Sequence, residues 1–298
     1  MSVVSRKPGG SAGPALDIAS LPRHDPVPLA AEAPEAEALA ASPILSVIIP
    51  VYNERHTLGA ILAAVSRALP GTRKEIIVVD DGSRDGTREW LKASFPDGLR
   101  AGSGISVGPA GELDFAPPAD KAQITVEPIF HLRNLGKGAA LRTGLAAVRG
   151  DVVVIQDADL EYDPQDWGPM LDLIAVRKVA DVVYGSRFYG RPHRSLFFHH
   201  YLANRAISLL FNALYNQTLS DIETCYKMMS GEVARSLRLT ADDFGIEVEI
   251  SAQIARQRKL RIYELGICYY GRSYDDGKKI NWRDGVKALW YLLKFRFA

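Results

Sequence analysis

Asp157 and Asp159, in Gln156-Asp157-Ala158-Asp159-Leu160-Glu161, are two carboxylates one residue apart that follow directly on the apolar run Val152-Val153-Val154-Ile155. Oxygen ligands at a strand's end suit Mg2+ or Mn2+, which proteins usually hold through one or two carboxylates plus the phosphates of a substrate. The chemistry implied is metal-assisted handling of a nucleoside diphosphate. A D-x-D pair alone is weak, because Asp residues at strand ends also cap helices and turns. Its weight comes from other segments at strand ends that suit phosphate or nucleotide.

One such segment is Pro50-Val51-Tyr52-Asn53-Glu54, where Pro50 is expected to end a strand's ladder and Tyr52 and Glu54 suit a base and a ribose or amine. Capping of a helix starting near Arg55 is the alternative role for Asn53 and Glu54. Another is Asp80-Asp81-Gly82-Ser83-Arg84-Asp85-Gly86-Thr87, a turn whose glycines permit positive φ and whose carboxylates can accept from base or ribose donors. A third, Arg133-Asn134-Leu135-Gly136-Lys137-Gly138, leads into the helical Ala139 to Val148, so backbone amides and Lys137 can face phosphate oxygens. It lacks the G-x-x-x-x-G-K-[ST] spacing of a Walker A loop.

The elements that must position these residues read as an α/β alternation. Strands are expected at Leu45 to Ile49, Glu75 to Val79, Ile124 to Phe130, Asp151 to Ile155 and Asp181 to Tyr184, apolar enough for a mostly parallel sheet with helices on both faces. Leu58, Ile61, Leu62, Val65 and Leu69 share one helical face before Pro70-Gly71, completing a βαβ unit. Ligands of such sheets sit beyond the strands' carboxyl ends. The stretch from Pro96 to Asp120 has little periodicity and reads as a mobile loop, inserted at about 96–122.

With 298 residues, 47% hydrophobic and 24% charged, the chain can bury a large core. Its net charge of +1 offers no pull toward nucleic acid, which is not an expected partner. Cys225 and Cys268, far apart, indicate neither a disulfide framework nor a zinc site, and two reduced thiols in a cytoplasmic protein are expected. Residues 1–42, rich in Ala and Pro, read as a disordered tail and not as a signal peptide. No apolar run reaches the ~20 residues of a membrane span. The expected organisation is a tail (1–42), a catalytic domain (43–270) and a C-terminal basic loop with an amphipathic helix (271–298).

The segments SVIIPVYNE, EIIVVDDGSRDGT, RNLGKGAALRTGL, VIQDADLE and VVYGSRF, in this order, resemble the nucleotide-sugar domain of inverting family 2 glycosyltransferases, which implies a GT-A fold. Within that family the chain most resembles polyprenyl-phosphate (dolichol-phosphate) mannosyl- and glucosyltransferases. The resemblance runs from about Pro43 to the C-terminus, apart from the inserted loop. It implies that Pro50, Tyr52, Glu54, Val79 and Asp81 contact the nucleoside, while Asp157, Ala158 and Asp159 surround metal and diphosphate. Arg187, in Gly185-Ser186-Arg187, is similar to the family's basic residue at the acceptor phosphate. Arg272 and Lys278, in Arg272-Ser273-Tyr274-Asp275-Asp276-Gly277-Lys278, resemble a loop that closes over the diphosphate, with an exposed basic loop as the alternative.

The implied reaction is inverting, metal-dependent transfer of one sugar from a nucleotide-diphosphate sugar to a polyprenyl phosphate, with Asp159 and Arg187 in catalytic roles. A lipid-phosphate oxygen is already an anion and needs no strong base. A hydroxyl acceptor, on a glycan or lipid, would need one. Asp221 and Glu223 lie where related hydroxyl-acceptor enzymes keep a catalytic carboxylate, so both acceptors stay open. Glu161 stands where the family often has Gln and is not expected to be a primary metal ligand. His199-His200 and Asn204 replace the Arg and Ser common in lipid-phosphate enzymes. Absence of Q-x-x-R-W argues for single-sugar transfer. A nucleotidylyltransferase would open with a Gly-rich loop where Pro50 to Glu54 stand, and a catalytically idle scaffold would lack the carboxylates. Phe197 to Leu214 and Trp282 to Phe297 mix aromatics with Arg and Lys, as helices lying in a membrane interface do, and Trp282, Val286, Leu289, Trp290 and Leu293 share one face. Peripheral contact with the cytoplasmic membrane face is therefore expected, with packing of that face on the catalytic domain as the alternative.

Overall fold

The computed structural model describes residues 43–117, 124–190, 192, 194, 198–243, 245–271 and 282–297. Runs of Val and Ile without polar alternation form strands buried on both faces. Leu45–Val51 (β1), Lys74–Asp80 (β2), Ile124–Phe130 (β6), Val152–Ile155 (β7) and Val182–Ser186 (β8) stand where the apolar runs predict strands. With Arg100–Gly102 (β3), Lys227–Ser230 (β9) and Ile262–Gly266 (β10) they make one sheet in the order β10-β8-β9-β7-β1-β2-β6-β3. The central pairs β7-β1, β1-β2 and β2-β6 are parallel, as is β8-β10. Strand β9 runs antiparallel between β7 and β8, and β3 antiparallel to β6. Reversal of β9 matters for the site, because its amino end lies beside the carboxyl ends of β7 and β8.

Pro50 does not end β1, which continues to Val51 and pairs Pro50 with Val79. Strand β7 covers β1 only from Leu45 to Ile48, so at Pro50 that side of β1 has no strand partner and needs no N–H. The segment expected to be a loop instead carries β3 and a hairpin of Gly104–Val107 (β4) with Leu113–Ala116 (β5). Its alternation is too short to register as a pattern. Ile105 and Leu113 are nonetheless buried, and Phe95 packs edge-on against Phe115. Positions 118–123, like the tail and the basic loop, lie outside the described residues.

Helix Leu58–Arg67 (α1) buries Leu58, Ile61, Leu62 and Val65, the stripe its spacing predicts. Thr87–Ser94 (α2) and Lys137–Ala147 (α3) follow β2 and β6, and Trp167–Leu171 (α4) follows β7. Gly144 lets α3 lie close on the sheet, since a Cβ there would sit 2.4 Å from Ile48 Cγ2. After β8 come Phe198–Tyr215 (α5), Gly231–Ser236 (α6), Ile246–Arg256 (α7) and Trp282–Phe297 (α8). Helix α8 packs against α5 and α7 through Ala288, Leu292 and Phe295. The expected face differs from the packed one: Leu289, Trp290 and Leu293 are exposed, Trp290 by 56%, and the side chains of Trp282 and Val286 are outside the described set.

Truncating a fully buried Leu costs several kcal/mol, whereas exposed positions change stability little. Leu292→Ala is expected to lower unfolding free energy by about 3 kcal/mol and Trp290→Ala by less than about 0.5 kcal/mol in denaturant titrations. The opposite order would contradict this docking of α8.

Candidate functional site

The ends of β1 and β2 are stitched together by their turns. Ser83 Oγ accepts from Asn53 N at 2.9 Å, Asn53 Oδ1 from Arg84 N at 2.8 Å, and Thr87 Oγ1 from Glu54 N at 3.1 Å. Asn53 holds φ of 56°, a left-handed conformation that Asn tolerates better than most residues. The carbonyl of Glu54 accepts from Thr57 N and Leu58 N, and its Oε2 from Thr57 Oγ1, so Glu54 does serve the start of α1. Tyr52 and Glu54 are half-buried beside the Asp81–Thr87 turn, while Val79 is wholly buried between β1 and β6. A nucleoside contact by the Val79 side chain therefore does not fit the packing.

Asp81 is the foundation of the third segment. Its Oδ1 receives Leu135 N at 2.9 Å and lies 2.7 Å from His131 Nδ1, and its Oδ2 receives Gly136 N at 2.8 Å. The other ring nitrogen of His131 lies 2.8 Å from Thr143 Oγ1 on α3. At Gly82, with φ of 76°, a Cβ would collide with the Arg133 backbone at 2.4 Å, so only glycine lets the two turns meet. These partners take three of the about four acceptor positions of the Asp81 carboxylate. His131 was not singled out in the sequence, where a lone His after a strand carries no pattern.

Lys137 begins α3 and points at the D-x-D segment. Its Nζ lies 2.8 Å from Asp157 Oδ1 and 3.2 Å from Glu247 Oε1 on α7. Burial alone would lower Lys137, but Asp157 and Glu247 reverse this and hold its ammonium well above the usual lysine value. Glu247 Oε2 in turn accepts from Lys227 Nζ at 2.5 Å, and that lysine also donates to the Thr224 carbonyl. Asp157, Lys137, Glu247 and Lys227 thus alternate in sign beneath the carboxyl end of β7. Neither Lys227 nor Glu247 is visible as a site residue in the sequence, because their pairing joins β9 to α7.

Asp157 and Asp159 are half-buried, and Ala158 is buried and offers only backbone. Leu160 holds φ of 63°, and Asp159 Oδ1 receives Glu161 N at 3.1 Å. Glu161 accepts from Tyr269 OH at 2.8 Å, so it neither faces solvent nor adds a ligand to the pair. Among the described residues no group of three or more His, Cys, Asp or Glu side chains could enclose a metal ion. Two carboxylates at a strand end do fit Mg2+ or Mn2+, whose remaining positions are ordinarily taken by water and substrate phosphates.

On the far side of β7, Arg187 is gripped by Asp221. Its Nε donates to Oδ2 and its Nη2 to Oδ1, both at 2.7 Å, and its backbone N donates to Oδ2 at 3.1 Å. Burial opposes the Arg187 charge, but Asp221 outweighs it and holds the guanidinium well above its usual value. Asp221 is 0% exposed and receives Nε and Nη2 as well as the Arg187 amide, so it anchors Arg187 and is not placed to take a proton. Glu223 is the other carboxylate of that segment, and burial is the main cause that pushes it up to about 7. Arg272 and Lys278 lie outside the described residues.

A family profile described as "Glycosyl transferase family 2" matches residues 46–102 and 116–238. A dolichol-phosphate mannosyltransferase of Pyrococcus furiosus is 28% identical over 79% of this chain, which spans 60% of that relative. An undecaprenyl-phosphate 4-deoxy-4-formamido-L-arabinose transferase of Pseudomonas paraeruginosa is 34% identical over 41% of the chain and 30% of its own length. Glucosyl-3-phosphoglycerate synthase from Mycobacterium tuberculosis, solved with Mn2+, UDP and phosphoglyceric acid, superimposes with a TM-score of 0.60 at 20% identity, covering 87% of this chain and 81% of its own. That likeness identifies the GT-A type fold.

A carboxyl group raised from 4.5 in the unfolded chain to about 7 in the folded one holds its proton more tightly when folded, so its contribution to stability is lost as pH rises from about 4.5 through 7. Glu223→Gln is expected to remove that loss. Denaturant titrations at pH 5 and pH 8 should show the wild type falling by about 2 kcal/mol more than the variant between the two. Equal pH dependence would contradict a half-buried, proton-retaining Glu223.

Proposed function

The chain belongs to glycosyl transferase family 2, and on that premise we propose that it transfers one sugar, with inversion and metal assistance, from a nucleotide-diphosphate sugar to a polyprenyl phosphate. The observation that carries the reading is the placing of Asp157, Asp159 and Lys137 at the carboxyl end of β7 and of the Asp221-held Arg187 at the carboxyl end of β8. Asp157 and Asp159 would hold Mg2+ or Mn2+, which when bound supplies positive charge to the departing diphosphate. Lys137 adds a cation on the same side. Tyr52, Glu54 and the Asp81–Thr87 turn would form the nucleoside end. Relatives named for dolichol- and undecaprenyl-phosphate transfer support the acceptor class, and the neighbour solved with Mn2+ and UDP supports the donor class.

Asp221 accepts from Nε and Nη2 of Arg187, leaving other guanidinium N–H groups to orient an acceptor phosphate. The acceptor oxygen is then already anionic and no residue need remove a proton. One observation favours a second reading. Glu223, at about 7, sits near the pH where a carboxylate works as general base, as a hydroxyl acceptor would require.

Exposed apolar side chains on α5 (Phe198, Leu202, Leu209) and α8 (Trp290, Leu293, Phe297) support peripheral contact with a lipid surface. Among the described residues no helix is long and apolar enough to cross a membrane. Flotation with anionic liposomes should carry the chain upward, and full retention in the soluble fraction would refute this contact.

A panel of UDP- and GDP-sugars with Mn2+ or Mg2+ and bacterial-type membranes is expected to give a mild-acid-labile glycolipid, with Asp159→Ala at least about 100-fold slower. Glu223→Gln should stay within about 10-fold of wild type for a phosphate acceptor. No lipid product from any donor would contradict the acceptor assignment, and strong loss in Glu223→Gln would favour a hydroxyl acceptor.

A further inference from the structure

Two carboxylates, the half-buried Asp157 and the buried Glu247, share the ammonium of Lys137. Asp157 Oδ1 lies 2.8 Å from Nζ and Glu247 Oε1 3.2 Å, but Oε1 is buried and accepts no hydrogen bond. A buried acceptor in that condition is costly unless something completes it. Glu247 itself cannot swing away, since Lys227 holds Oε2 and is itself fixed by the Thr224 carbonyl. Lys227 is wholly buried and Glu247 is 5% exposed. Gly136 and Gly138 bring the start of α3 against the backbone of Ala241 and Asp242, just ahead of α7, and Gly138 N donates to Asp242 O at 2.7 Å. Lys137 and Glu247 are therefore held on two tightly joined segments.

We propose that Lys137 is a resident counter-ion of Asp157 that passes to Glu247 when a divalent cation takes Asp157, making Glu247 the residue that positions Lys137 for the diphosphate. The inference rests on the reading of Asp157 and Asp159 as metal-binding carboxylates. A cation on Asp157 repels the Lys137 ammonium, and the vacant acceptor on Glu247 is already within 3.2 Å, so the lysine changes partner without leaving the site. Lys137 thus opposes a cation arriving alone but favours one arriving with phosphates, whose charge it shares. Cation and nucleoside diphosphate then bind as a coupled pair.

The test titrates Mn2+ alone into the full chain by calorimetry, and then UDP and GDP in saturating Mn2+. Lys137→Met is expected to bind Mn2+ alone at least about threefold more tightly than wild type, and the preferred diphosphate at least about tenfold more weakly. A gain in Mn2+ affinity is not an effect that damage to the fold produces. In Glu247→Gln the lysine stays on Asp157, and Mn2+ alone should bind at least about threefold more weakly. If Glu247→Gln does not fold, Lys137→Met decides alone. Mn2+ binding that is equal or weaker in Lys137→Met, yet lost in Asp159→Ala, would overturn the exchange while leaving the metal reading intact. Absence of Mn2+ binding in both wild type and Lys137→Met would overturn both.

Discussion

Charges gathered at the carboxyl end of a sheet must each find a partner, because an unpaired buried charge costs more than most folds can spare. This chain collects Asp80, Asp81, Asp157, Asp221 and Glu247 there, and each meets a cation or amide donors: Arg88, the Leu135–Gly136 amides, Lys137, Arg187 and Lys227 in turn. The pairs cross between elements, so they tie the turns after β2, β6, β7 and β8 to the entry of β9 and the start of α7. Breaking one pair leaves a buried charge alone, which is why the site and the fold around it stand or fall together.

The same constraint separates residues that hold the site from residues that are offered to a ligand. Asp81 and Asp221 look equivalent to Asp157 and Asp159 as acidic residues near strand ends. In the structure the first two are largely engaged by the chain itself, while Asp157 is paired with Lys137 and stays half-buried. Acceptor chemistry turns on a similar contrast between Asp221, spent on Arg187, and Glu223, pushed up by burial.

Much of the fold was legible because parallel strands covered by helices are written as apolar runs. Strands β1, β2, β6, β7 and β8 and the α1 stripe all follow from such runs. Hairpin β4–β5 was not, because four-residue strands around Gly108 and Gly111 show too few alternations to outweigh the turn residues. On α8 the packed face differs from the one expected from the sequence, since the stripe is set by where α5 and α7 stand. Within the site, the D-x-D pair, Lys137 and Arg187 carried signals of type and position. Glu247, Lys227 and His131 carried none, because their roles exist only once distant segments are brought together.

Anomalous diffraction at the manganese edge, from crystals grown with Mn2+ and a nucleoside diphosphate, tests the central claim most directly. The account predicts a single manganese peak in contact with Asp159 and Asp157, with diphosphate oxygens completing the shell and the Lys137 ammonium on Glu247. A manganese peak away from the Gln156–Glu161 segment, or diphosphate bound elsewhere than the carboxyl end of β7, would contradict it.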